Sequence, residues 1–177
     1  MESAPDVDPG AALLALYETA VREVYGYLFH RCRHAATAED LTAETFTAAV
    51  SSIRRGVVGE VSTAWLIGIA RHKLVDHWRQ VERTTRNLQA VGESTVADDP
   101  WDAELDAFLA RDVLDRLGAH HRSALTLRYV DDLAVPEVAT VLDRTVHATE
   151  ALLVRARRAF RDVYEQLDAP DAGEVTP

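Results

Sequence analysis

The sequence predicts an all-α protein: two small helical domains, residues 11–86 and 103–167, joined by an acidic linker over residues 87–102. Three observations predict it. Apolar residues recur at three- and four-residue spacing along most of the chain, with almost no alternating pattern of the strand type. Capping residues stand at the starts of the periodic segments, and Gly56, Gly59 and Pro136 punctuate them. From Thr84 to about Asp102 the periodicity fades, Gly92 and Pro100 appear, and acidic residues accumulate.

The first helix spans Ala11 to about Arg33, with Leu13, Leu16, Tyr17, Ala20, Val24, Tyr27 and Leu28 as its apolar stripe. Thr37-Ala38-Glu39-Asp40 resembles a capping box and starts a second helix to about Arg54, with Leu41, Phe46 and Val50 among its apolar residues. Ser62 or Thr63 caps a third helix through roughly Arg83, built on Trp65, Leu66, Ile69, Ala70, Leu74 and Trp78. A fourth runs from about Ala103 to Leu117. Leu117 to Arg161 then reads as three helices with two short breaks. Pro136 suits a first helical turn, where its missing N–H costs nothing. Asp143-Arg144 makes a tight turn, and Thr145 caps the helix that follows. A short helix, a tight turn and a longer helix form the helix-turn-helix pattern, whose second helix enters the DNA major groove.

Composition bounds the function. The 177 residues carry enough apolar side chains for real cores. No apolar run approaches the roughly 18–20 residues of a membrane span. The acidic N-terminus lacks a signal-peptide pattern, and the lone Cys32 excludes an internal disulfide framework, so a cytoplasmic protein without membrane insertion is expected. A net charge of −10 argues against nucleic acid, but its distribution argues for it. Arg71, Lys73, Arg79, Arg83 and Arg86 form one basic island and Arg144, Arg155, Arg157, Arg158 and Arg161 another. Acids dominate the bridge between them. Lys73 is the only lysine; every other cationic side chain is arginine, the residue suited to phosphate and base recognition.

Ala38-Glu39-Asp40-Leu41-Thr42-Ala43-Glu44-Thr45-Phe46, then Trp65 to Arg71, then Asp76-His77-Trp78-Arg79, resemble region 2 of bacterial sigma factors. They are most similar to the small extracytoplasmic-function (ECF) group of the sigma-70 family. Leu117–Arg161 resembles region 4 of the same proteins, in the same order and at the same separation.

The resemblance implies that Asp40, Leu41, Glu44, Thr45 and Phe46 dock on the clamp helices of the β′ subunit of core RNA polymerase, whose β subunit is a further partner. On residue chemistry alone, Leu41 and Phe46 also suit a core, and the acids a solvated face. It further implies that Ser62, Arg71, His72, Lys73, Asp76, His77 and Arg79 read the opened strand of the −10 promoter element. Capturing unstacked bases needs polar edge-readers, cations for phosphate and a stacking surface. His72 stands where relatives commonly carry Asn. Trp65 suits the core; Trp78 fits either the core or a stacking role.

The last helix is implied to read duplex −35 DNA through Thr145, His147, Glu150, Val154, Arg155 and Arg158, with Arg128 on phosphate. Glu150 replaces a usual Lys or Arg; it either accepts from cytosine N4 or simply faces solvent near Arg157 and Arg158. Asp143 replaces a usual turn glycine, and Asp tolerates the left-handed conformation better than most residues.

The expected function is therefore promoter recognition and melting for RNA polymerase, with promoter DNA and an anti-sigma factor as further partners. A stand-alone helix-turn-helix regulator explains Leu117–Arg161 but leaves the match at Ala38–Arg79 unexplained. A helical adaptor without DNA binding draws only on Glu150 and Leu152. His30, Cys32 and His34 do not complete a ligand set, and no phosphate loop or catalytic dyad appears. No metal, cofactor or enzymatic activity is expected.

Overall fold

The computed structural model describes residues 8–58, 60–86 and 107–168. The linker expected at 87–102, the start of the fourth helix at Ala103 and the loop residue Gly59 lie outside them. Among the described residues there is no strand. The chain is all-α, as its periodicity predicts.

Helix α1 (Pro9–Cys32) starts where Asp8 accepts from the Gly10 and Ala11 N–H groups, at 3.2 and 3.3 Å, with Pro9 in the first turn. It ends on Arg33, a left-handed residue at φ 54° whose N–H reaches the Phe29 oxygen. Helix α2 (Ala35–Arg54) begins two residues before the expected Thr37, because His34 supplies the cap through Nδ1, 3.4 Å from the Thr37 N–H. Gly56 at φ +68° turns the chain out of it. Helix α3 (Thr63–Arg86) is opened by Ser62, whose Oγ accepts from the Trp65 N–H at 3.3 Å.

Backbone proximity separates two compact units, Met1–His77 and Trp78–Pro177, so the last turns of α3 group with the second. In the first unit α1 packs along α2. Leu13, Ala20, Val24 and Leu28 form the buried edge of α1, and Ala38, Leu41, Thr42, Thr45 and Ala49 that of α2. The two threonines enter this core at no polar cost, because each hydroxyl donates to the carbonyl one turn back, Ala38 and Leu41, at 2.6 and 2.7 Å. Leu66, Ala70, Leu74 and Val75 bury the inner face of α3.

The second unit contains α4 (Ala107–Arg116), α5 (Ala119–Leu125), α6 (Val135–Leu142) and α7 (Val146–Asp168). A π-helical turn, Thr126–Val130, prolongs α5; the Asp131 N–H reaches back five residues to the Thr126 oxygen. Val113, Leu117, Leu125, Ala156 and Phe160 form a core cluster under α4, α5 and α7. Asp143 adopts φ 53°, ψ 54°, the left-handed conformation that the turn between α6 and α7 requires. The helix-turn-helix is thus present, with Pro136 in the first turn of α6 and Thr145 capping α7 through a 3.1 Å bond from the Ala148 N–H.

Candidate nucleic-acid interface

Faces of α2, α3 and α7 carry most of the residues singled out from the sequence, some exposed and some buried. On α2, Glu39, Asp40, Ala43, Glu44 and Thr47 face solvent, while Leu41 is 3% and Thr45 0% exposed. Those two side chains belong to the buried edge of α2. Phe46 is half-buried, and its ring meets Tyr17 of α1 edge-on at 5.1 Å between centroids. Tyr17 is itself half exposed, so the acidic face ends in an aromatic pair. The sequence placed Tyr17 in the α1 stripe and offered no sign of this pairing. Beside it Asp40, Glu44, Thr47, Ser51, Arg55 and Lys73 line an open groove of about 710 Å³.

On α3 the outward stripe is His72, Asp76, Gln80 and Arg83, at spacings of four, four and three, which one side of a helix presents together. Arg71 and Lys73 flank it. The Arg71 guanidinium carbon lies 6.0 Å from the centroid of the Tyr27 ring, and Arg31 lies over the same ring at 3.7 Å while its Nη1 donates to the Tyr27 oxygen at 2.9 Å. Arg31 and Tyr27 stand four residues apart on α1, a pairing that helix spacing alone allows, and only the tertiary fold adds Arg71 of α3 to the same ring. Lys73 pairs with Glu44 at 3.2 Å. His77 and Arg79 are half-buried, and Arg79 Nη2 donates to the Leu142 oxygen at 2.8 Å. Ser62 serves as the α3 cap described above. Trp78 is buried at 6% exposure, with the Arg122 guanidinium 4.4 Å from its ring centroid, whereas Trp65 is only partly buried.

On α7, Thr145, His147, Glu150, Ala151 and Arg155 are exposed and Val154 is half-buried, one continuous outward stripe. A helix with side chains is about 10–12 Å across and the major groove about 12 Å wide, so this face fits one. His147 Nδ1 stands 3.9 Å from the Glu150 carboxylate, at the surface. Leu152 points inward at 3% exposure and is a core residue, which removes it as a sign of lost DNA binding. Arg158 is half-buried, with Nη1 buried and without a hydrogen-bond partner, while Arg157 Nη1 reaches the Tyr129 hydroxyl at 3.5 Å. Arg128 is partly exposed and folds back on its own chain: its Nη1 donates to the Leu133 oxygen at 3.0 Å, and the exposed Asp132 lies 3.8 Å away. Among the described residues no cluster of three or more His, Cys, Asp or Glu is arranged to hold a metal, and no helix is long and apolar enough to cross a membrane.

Comparison with known proteins covers both units. The family models Sigma-70 region 2 and Sigma-70, region 4 match residues 16–84 and 107–160. The ECF RNA polymerase sigma factor BldN of Streptomyces coelicolor is 34% identical over 82% of this chain and 57% of its own length. The RNA polymerase sigma factor YlaC of Bacillus subtilis is 28% identical over 80% of this chain and 86% of that one. The ECF RNA polymerase sigma factor SigL of Mycobacterium tuberculosis is 28% identical over 89% of this chain and 91% of that one. In fold the chain is similar to the sigma factor RpoE, solved in complex with the anti-sigma factor NepR from Bartonella quintana, with a TM-score of 0.54, 20% identity, and coverage of 88% of this chain and 96% of that one. With region 2 matching the chain through α3 and region 4 matching its helix-turn-helix, the protein belongs to the sigma-70 family of RNA polymerase sigma factors, in the ECF group.

Proposed function

We propose that this sigma factor directs core RNA polymerase to promoters by docking the acidic face of α2 on the polymerase, capturing −10 bases with the outward stripe of α3, and reading −35 duplex with α7. The observation that carries the reading is the coexistence in one chain of two outward helix faces rich in polar and cationic groups, one in each matched region. Arg71, His72, Lys73, Asp76 and Arg79 supply donors, acceptors and charge for an unstacked strand, with Ser62 at the helix entrance and His77 beside them. Thr145, His147, Glu150, Val154 and Arg155 face the groove, and Arg128 and Arg158 stand behind them as phosphate ligands. Asp40, Glu44, Phe46 and Tyr17 form the polymerase surface over the buried Leu41 and Thr45.

The protein then acts in the cytoplasm and catalyses nothing itself; nucleotidyl transfer belongs to the polymerase. An anti-sigma partner covering the same faces holds the factor inactive; RpoE, whose fold this chain shares, is itself solved in complex with the anti-sigma factor NepR.

The test combines purified chain, core polymerase and a genomic promoter library, with transcript ends mapped by sequencing. Discrete start sites that depend on the chain are expected. Binding to duplex DNA without binding to polymerase would sink the reading in favour of a stand-alone regulator.

A further inference from the structure

Glu44 lies on the α2 face assigned to the polymerase, and Lys73 on the edge of α3 assigned to the promoter strand. Their charged groups are 3.2 Å apart, with the Glu44 side chain 57% and the Lys73 side chain 33% exposed. The pair therefore bridges two faces with different partners, and each of its members is a group that one partner needs. Lys73 is the only lysine in a chain otherwise cationic through arginine. An ammonium is a compact charge on a mobile four-carbon stem and has no planar fork to lock onto a carboxylate, so it exchanges one anion for another readily. Asp40 and Arg55 line the same groove, so a displaced ammonium or carboxylate meets an alternative counter-charge.

We propose that the Glu44–Lys73 ion pair couples polymerase docking to promoter-strand binding: a basic polymerase surface that captures Glu44 releases Lys73 for a DNA phosphate. The inference rests on the functional reading above. Linkage makes the effect reciprocal, so phosphate bound to Lys73 frees Glu44 for the polymerase by the same factor. An exposed pair sets the scale of the coupling at between about 1.5- and 5-fold in affinity. Salt screens it, so the effect belongs to low ionic strength. A factor of this size biases the order of assembly, favouring promoter contact by the polymerase-bound factor over contact by the free one.

The test is a double-mutant cycle read on core polymerase affinity in the absence of DNA. Lys73→Met removes no group from the polymerase face, yet it is expected to tighten polymerase binding about 1.5- to 5-fold at roughly 50 mM salt, because Glu44 no longer has a competitor. In the Glu44→Gln background the same substitution is expected to change nothing. Lys73→Met that leaves affinity unaltered, or tightens it equally in both backgrounds, overturns the proposal. Should Glu44→Gln itself leave polymerase binding untouched, the docking assignment of α2 falls and the coupling with it. That outcome is distinct from a Glu44→Gln that weakens binding without any effect of Lys73→Met, which removes the coupling alone. A measurement on the free chain requires no change at Lys73: acetylation by N-hydroxysuccinimidyl acetate, followed by peptide mass spectrometry, reads the reactivity of this amine. Glu44→Gln is expected to raise it about 1.5- to 5-fold; equal reactivity in the two proteins overturns the pair.

Discussion

The guanidinium of Arg128 donates to the backbone oxygen of Leu133 at 3.0 Å, tying the π-helical turn to the loop that launches α6. Asp132 in that loop holds φ 53°, and the Leu133 N–H reaches back to the Leu127 oxygen, so the connection is a built corner rather than slack chain. Arg128 therefore sets the entry of α6 before it meets any phosphate. Replacing it with Lys keeps the charge and loses the directed bond. Arg128→Lys is expected to cost about 1 kcal/mol in urea unfolding followed by circular dichroism, while the salt dependence of promoter binding stays close to wild type.

Thr145 caps α7 from the turn, with its hydroxyl 3.1 Å from the Ala148 N–H. Thr145→Ala should lose about 1 kcal/mol. Thr145→Asp should restore the stability, since a carboxylate caps as well, yet weaken −35 binding by placing a negative charge where the helix meets phosphate. Unfolding and DNA affinity measured on the same two proteins separate capping from recognition.

Glu150 and Leu152 stand two residues apart and face opposite ways. Leu152→Ala empties a buried site and is expected to destabilise by about 2–4 kcal/mol. Glu150→Lys should leave stability within about 0.5 kcal/mol and steepen the salt dependence of promoter binding by close to one counterion. A change in preferred promoters on top of that identifies Glu150 as a base reader. Unchanged preference with steeper salt dependence assigns it to the solvent-facing rim.

His34 opens α2 with a ring nitrogen, a less usual cap than Asn or Ser, and Thr37 Oγ1 lies 3.2 Å from the same Nδ1. His34→Asn should hold or raise stability, and His34→Ala should lower it by about 0.5 kcal/mol or more. Thermal denaturation followed by circular dichroism distinguishes them.

Helix existence and order were legible because apolar spacing, capping residues and the turn around Asp143 each act locally. The start of α2 was misplaced by two residues, since Thr37 looks like a better cap than the histidine that performs the task. The π-helical turn leaves no trace in the sequence, because one extra residue per turn is not marked by Gly or Pro anywhere in Ala124 to Val130. Thr45 reads as a surface residue until its hydroxyl is seen donating to its own helix. Arg128 and Lys73 are legible as cations, but their partners lie across a turn or on another helix, where sequence spacing carries no information.

The buried edge of α2 is built from Ala38, Ala49 and two threonines around a single leucine, and the helix packs along α1. One added methylene there carries a penalty of roughly 1–3 kcal/mol, whereas the outer edge of the same helix accepts almost any polar residue. The helix is thus frozen on one side and free to drift on the other. Over evolutionary time, new partner preferences can be written on α2 without renegotiating the fold beneath it.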